Sequence, residues 1–354
     1  MVISTADIPA PSDAPNRFTY WKNPARAEIG ENCTEFLKRL AGPTHIHITG
    51  KNSGRARAVV TLLHGNEPSG LHAVYNVLQQ QIEPAVDIHC FIASVDAAKQ
   101  APGFIYRMLP HQRDLNRCFK PPFDIDEQGL LALELVHTLQ SIIPECLIDI
   151  HNTSGSSPAF GVTTFMDNRH NALVSLFTHR MIVTDLALGS LMEISESLLP
   201  AVTIECGGAL DAESSLLATE GLLRYCTYDD VLTDGHSDLE LEYFHNPMRL
   251  ELLDGSDIAY GEHRLIEGGV TMLPDIENHN FGFVDSDCRL GFISGELNTV
   301  LTAKDNEGHE RISEFFEIRD GEFYPTRKLK LFMVTTNPEI ARKDCLLYFV
   351  AEPA

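Results

Sequence analysis

The chain has 354 residues, 44% of them apolar and 22% charged, the balance of an ordinary globular protein. Fifty acidic residues against 27 basic ones give a formal charge of −23, which excludes the basic footprint that a nucleic-acid or anionic-membrane binder needs. The length favours two domains.

No apolar run is long enough for a transmembrane helix, which needs about 18 residues, and residues 1–16 lack the basic start and apolar stretch of a secretory signal. The first residues are rich in Pro, Ala, Ser and Asp, so a loose arm is expected over 1–30. Eight scattered cysteines (33, 90, 118, 146, 206, 226, 288, 345) form no CxxC. That usage predicts reduced thiols in a cytoplasmic protein.

From residue 31 the pattern alternates. The spacing predicts a helix over 31–40, a strand over 44–49, a turn over 50–54 and an apolar strand over 56–63. A helix over 68–81 places Leu71, Val74, Val77 and Leu78 on one face. A strand over 88–94 and a long helix over 126–143 follow. Next come strands over 146–150 and 160–165, a helix over 171–181, a strand over 202–206 and a helix over 213–225. Short apolar strands separated by helices indicate an α/β sheet covered on both faces, spanning a catalytic domain at 31–232. Asp229, Asp230, Asp234 and Gly235 then make a polar junction. Beyond it, short strand-like pieces at 248–253, 282–284, 290–293, 315–318, 329–334 and 345–350 predict a smaller, mainly β domain over 233–354.

Four short segments in this framework carry chemistry. His64 and Glu67 lie three residues apart where a buried strand gives way to a helix, with Gly65 between them. His151 ends a different strand. In α/β sheets the binding crevice lies beyond the carboxyl ends of the strands, so the three side chains can converge. Two His and one Glu make a catalytic zinc set with a position open for water, whose pKa the ion lowers. One Zn2+ per chain is therefore expected on His64, Glu67 and His151. His45 and His47 alternate along one strand and read as surface or core residues, and His89 has no evident partner. The segment Arg113-Asp114-Leu115-Asn116-Arg117 is dense in donors. Asn116 and Arg117 can clamp a substrate carboxylate. Arg107, or Arg113, can stabilise an oxyanion, or these arginines can pair with Asp114, Asp124 and Asp126. Glu205 ends a buried strand and is followed by two glycines. A carboxylate there is costly unless it faces a site, which makes it the candidate general base. No GxSxG motif is present, so a serine hydrolase is disfavoured.

Taken together, His64–Glu67, Asp114–Arg117, Asp149–Thr153 and Ile204–Gly207 resemble the succinylglutamate desuccinylase/aspartoacylase family, across roughly residues 55–230. The resemblance implies a mixed sheet of the zinc carboxypeptidase type with a C-terminal β domain. It implies His64, Glu67 and His151 as ligands, Asn116 and Arg117 as the carboxylate pair, and Glu205 as the base. The family's upstream Arg usually precedes the Asp of the DLNR segment by five residues. That position here is Leu109, with Arg107 nearest upstream. Residues 189–200 contain no Arg, where aspartoacylases place one for the aspartate side chain, which speaks against a true aspartoacylase. The expected function is a zinc-dependent hydrolase of the amide bond in a small N-acyl amino acid bearing a carboxylate. A zinc carboxypeptidase on short peptides and a non-catalytic metal-binding module are the alternatives. No nucleic-acid or membrane partner is expected, and a homo-oligomer is compatible with the sequence.

Overall fold

The computed structural model describes residues 16–233, 240–305, 307–343 and 345–351. The chain divides into two compact units, Met1–Asn152 with Ala159–Tyr243, and Thr153–Pro158 with Phe244–Ala354. The division falls at 243/244 rather than 232/233, and a short piece after Asn152 clusters with the second unit.

In the first unit the strands are β1 (Thr19–Lys22), β2 (Thr44–Ile48), β3 (Asn52–Thr61), β4 (Val86–Ile92), β5 (Leu147–Thr153), β6 (Phe160–Thr163), β7 (Arg180–Val183), β8 (Ala201–Gly208) and β9 (Glu242–His245), the last crossing the unit boundary. They form one sheet in the order β1-β2-β4-β3-β5-β8-β6-β7-β9. β3 runs parallel to β4 and β5, whereas β2/β4 and β6/β8 are antiparallel, so the sheet is mixed. The helices are α1 (Arg26–Ile29), α2 (Cys33–Arg39), α3 (Ser69–Gln80), α4 (Val95–Lys99), α5 (Glu127–Ile142), α6 (Asn168–Ser175) and α7 (Ala212–Thr227). Two apolar cores flank the sheet. One joins Val59, Ile88, Ile148 and Ile204 to Leu71 and Val74 of α3 and Leu222 of α7. The other joins Ala58, Val60, Phe91 and Leu147 to Leu131, Leu135 and Leu139 of α5. Alternate residues of one strand thus enter opposite cores, as the pleat requires. α3 lies close on β3: a Cβ at Gly70 would meet Thr61 Oγ1 at 2.0 Å.

Several elements depart from the sequence reading: residues 52–54 of the expected turn already belong to β3, and strands at Asp257–Tyr260, Gly269–Met272, Leu301–Lys304 and Glu322–Pro325 were not foreseen. The described part of the expected loose arm, 16–30, holds β1 and α1. The Pro- and Ser-rich composition ends before the β-prone run Thr19-Tyr20-Trp21-Lys22, which pairs in parallel with β2 and packs Trp21 on the core. Residues 1–15 lie outside the described residues. The helix expected over 171–181 starts earlier, because Asp167 caps it by accepting from the backbone N–H of Arg169 and His170. It stops at Ser175, and Met181-Ile182-Val183 belongs to β7.

The second unit holds two five-stranded sheets around one core that includes Leu250, Val270, Phe316, Phe323 and Phe349. Phe316 and Phe349, from different sheets, meet edge to face with centroids 5.0 Å apart. This is the mainly β character expected of the C-terminal part. Among the described residues no helix is long and apolar enough to cross a membrane.

Candidate metal centre

β3 ends at Thr61, and Leu62 follows in the left-handed region at φ 58, an unusual conformation for a buried leucine. The chain then runs through His64-Gly65-Asn66-Glu67 into α3. A Cβ at Gly65 would lie 2.6 Å from Ala97 Cβ and 2.7 Å from the Tyr106 carbonyl oxygen. Close approach therefore demands glycine here. The Gly65 N–H donates to the Arg107 carbonyl at 2.8 Å, which draws the 107–117 segment to the strand end. β5, parallel to β3 and paired with it as far as Ile150, delivers His151 alongside. Asn152 ties the two together. Its Oδ1 accepts from the Ser69 N–H that opens α3, its backbone N–H donates to Glu67, and its Nδ2 donates to the Gly207 carbonyl of β8.

The expected ligands converge and are buried. Glu67 lies between two imidazoles, with Oε1 2.8 Å from His64 Nδ1 and Oε2 2.7 Å from His151 Nδ1. Each outer ring nitrogen meets a second carboxylate. His64 Nε2 is 2.9 Å from Asp114 Oδ1, and His151 Nε2 is 2.7 Å from Asp149 Oδ2. Each ring thus stands between two carboxylates, and without metal either of its nitrogens can donate; with a cation on the two Nδ1 atoms, the ring protons would sit on the outer nitrogens and donate to Asp114 and Asp149. Carboxylates behind metal-binding histidines are the usual outer layer of such sites. The donor set fits a zinc ion, with two imidazole nitrogens and a carboxylate as ligands. The electrostatics agree. Burial opposes charge on His151, yet Asp149 and Glu67 outweigh it and raise its pKa well above the ordinary imidazole value. Burial likewise opposes ionisation of Glu67, but His64 and His151 hold it below the carboxylate range. The cage thus attracts positive charge.

Glu205 sits near the end of β8, the neighbour of β5 in the sheet. Its Oε2 is buried and has no hydrogen-bond partner among the described residues. Burial pushes its carboxyl up to about 7, with His151 opposing and Glu67 reinforcing the shift. Such a group changes protonation state near neutrality, as a general base must.

The arginines separate. Arg107 forks onto Asp114 Oδ2 at 2.9 and 3.2 Å and approaches Glu67 Oε1 at 3.7 Å, so it borders the cage. Arg113 points elsewhere: it is about two-fifths exposed and pairs with Asp124 and Asp126. Asn116 is buried and its Oδ1 is taken by the Leu191 N–H at 2.9 Å, which leaves its amide Nδ2 to donate. Arg117 is exposed, donates to the Asn116 carbonyl, and forms no ion pair among the described residues.

Sequence reasoning gave no role to Asp149 and only a pairing role to Asp114. Asp149 and His151 stand two apart on one strand, so they share a face; that D-x-H spacing was the available signal. A second cluster was also missed. His47 and His89, read as a surface or core residue and as partnerless, lie together with Asp87 on β2 and β4. Burial, reinforced by neighbouring imidazoles, lowers His89 to about 4 and His45 to about 3. The cysteines are free, and burial pushes Cys33, Cys146 and Cys226 up to about 12.

No protein-family model matches the chain, and no curated protein matches it in sequence. Solved structures do match over most of its length. A succinylglutamate desuccinylase/aspartoacylase from Rhodobacter sphaeroides superposes with a TM-score of 0.53 at 16% identity, covering 87% of this chain and 88% of that one. The product-bound ectoine utilization protein EutE (DoeB) from Ruegeria pomeroyi gives 0.55 at 16% identity, with 87% and 88% covered. A succinylglutamate desuccinylase from Vibrio parahaemolyticus gives 0.53 at 15%, with 84% and 82% covered. Two of these three neighbours carry the family name that the sequence motifs suggested, and the shared fold is the one found here.

Proposed function

We propose that this protein is a zinc-dependent hydrolase that removes the acyl group from a small N-acyl amino acid. The observation that carries this reading is the buried His64–Glu67–His151 donor set. Both inward Nδ1 atoms are oriented by outer carboxylates, and the unpartnered oxygen of Glu205 lies in the same electrostatic field. Zinc held there supplies Lewis acidity, which lowers the pKa of water and polarises the scissile carbonyl. Glu205 accepts the proton released by the attacking water and returns it to the departing amine nitrogen. Arg107, at the rim of the cage, stabilises negative charge developing on the carbonyl oxygen. Exposed Arg117 binds the substrate carboxylate, and the Asn116 amide adds a neutral donor. Such a local cation is needed because the chain as a whole, at −23, repels anions. Free, mostly buried thiols fit a cytoplasmic setting.

A hydrolysis screen of N-acyl amino acids, their carboxamides and short peptides tests the reading, with elemental analysis of the purified protein. Zinc-dependent cleavage of the free acids is expected. Equal cleavage of the carboxamides would remove the clamp from the mechanism, and preference for peptides would make the protein a carboxypeptidase. Arg117→Lys should lower kcat/KM by about 2 kcal/mol, the scale of one charge-assisted hydrogen bond, because an ammonium cannot reproduce a guanidinium fork. The carboxamide and Arg117→Lys losses should not add, since both remove one interaction.

A further inference from the structure

We propose that His47, Asp87 and His89 form a second divalent-metal site, of the zinc type, on the outer strands of the nine-stranded sheet. The strand pairing builds it. β2 and β4 are antiparallel, and His47 stands directly opposite His89. Asp87 is two residues before His89 and so shares its face. One ligand atom from each of the three lies within 4.8 Å of the others. His47 Nε2 is 2.8 Å from Asp87 Oδ2, and the rings of His47 and His89 stack at 4.3 Å with planes 14° apart.

Each group is also held from behind, as metal-site ligands are. His47 Nδ1 lies 2.9 Å from the Tyr20 hydroxyl, His89 Nδ1 lies 2.9 Å from His45 Nε2, and Asp87 Oδ1 accepts from the Gly50 N–H at 2.9 Å. These partners permit both tautomers. Without an ion, His47 donates from Nε2 to Asp87, and Tyr20 donates to Nδ1. With an ion, the single ring proton sits on Nδ1 and donates to the Tyr20 oxygen, so the Nε2 lone pair is free to ligate. The exposed Tyr20 turns its hydroxyl proton to water, and no net proton is gained or lost. His89 in turn donates from Nδ1 to His45 and keeps its Nε2 lone pair. Two imidazoles and one carboxylate favour zinc over calcium or magnesium, which prefer all-oxygen sets. The side chains of His47 and Asp87 are 13% and 11% exposed, enough for an ion to reach them. The bound ion cross-links β2 to β4 beyond their backbone ladder.

The test is zinc content per chain after dialysis against low-micromolar Zn2+. It compares wild type, His151→Ala, His47→Asn, Asp87→Asn and the double variant His151→Ala/His47→Asn, with circular dichroism as the folding control. Asn at 87 can still accept from Gly50, so this variant keeps the turn if His47→Asn does not fold. Wild type should hold two ions, each single variant one and the double variant none. A Co2+-loaded His151→Ala protein should show visible absorption that Asp87→Asn abolishes. If the strand-end cage fails instead, wild type holds one ion and His47→Asn none, which leaves the outer site standing. Zinc content unchanged by both His47→Asn and Asp87→Asn overturns the proposal.

Discussion

At the strand ends two imidazoles share three carboxylates, Glu67, Asp114 and Asp149; on the outer strands three imidazoles, His45, His47 and His89, share the single carboxylate of Asp87. Both clusters are largely buried, so desolvation acts the same way on every ring. The charges around the rings decide the outcome. In the cage, carboxylates overcome burial and His151 is raised. In the row, neighbouring imidazoles add to burial, and His45 and His89 fall to about 3 and about 4. The residue types are alike, yet His151 is held in the protonated form whereas His45 and His89 are held in the neutral one. A cation entering the cage competes with the proton that its carboxylates hold on His151; one entering the row meets a neutral His89.

The largest expected effect belongs to the carboxyl that sits beside the cage without joining it. Glu205→Gln should keep metal and fold but slow turnover on the order of 10²–10⁴-fold, the range for a lost general base. Metal content and kcat on the same preparation check this. Loss of zinc from the variant would make Glu205 a member of the cage.

Acid should separate the clusters next. The folded-state values of His45 and His89 lie below the ordinary imidazole value of 6.5. Between those values the unfolded chain binds more protons than the folded one. Stability is therefore whole above about pH 6.5 and falls as pH drops through the window toward 4. By pH 4.5 each ring should cost on the order of 2 kcal/mol in the metal-free protein. His151 has the opposite sign: its contribution is present in acid and is lost as pH rises through its raised value. His45→Phe should preserve the stacking on Phe91, which lies 4.3 Å away, and flatten the acid loss. Urea unfolding from pH 7 to 4.5 reads the difference. Superimposable curves for variant and wild type would show that burial of this ring has no thermodynamic weight.

The sequence exposed these clusters unequally. His64, Glu67, His151 and Glu205 were legible because each stands at or near the end of an apolar run, and parallel strands bring such ends together. Most unit 1 elements with strong periodicity, such as α3 and α5, were legible for the same local reason. The row was not. His45 and His47 show only a period-two alternation, and nothing local says that β4 pairs with β2 in the register that sets His47 against His89. Arg107 and Arg113 were interchangeable on paper. The Gly65 N–H bond to the Arg107 carbonyl holds Arg107 beside the cage and the Asp124/Asp126 pair holds Arg113 away from it, and both are tertiary facts. β1 escaped because four residues are too few to show a period.

Asp149→Asn moves the cage toward the row. Asp149 is fully buried, and its Oδ2 meets His151 Nε2 at 2.7 Å while Oδ1 has no partner among the described residues. Asparagine keeps an oxygen that can accept from Nε2–H, so the ring need not turn, but the charge is gone. With the largest attraction on the ring removed, burial should dominate His151 as it dominates His89. Its titration, followed by NMR in the metal-free protein, should drop from above the ordinary imidazole value toward or below it. A less basic Nδ1 binds a metal less tightly, and loss of an outer carboxylate should weaken zinc binding about 10–100-fold, measured by chelator competition. The two readouts must move together, because both report the same carboxylate acting through the same ring. If zinc affinity falls while the His151 titration stays put, Asp149 acts by packing. If neither moves, Glu67 alone sets the charge of the ring, and the ratio of carboxylates to imidazoles is not what distinguishes the two clusters.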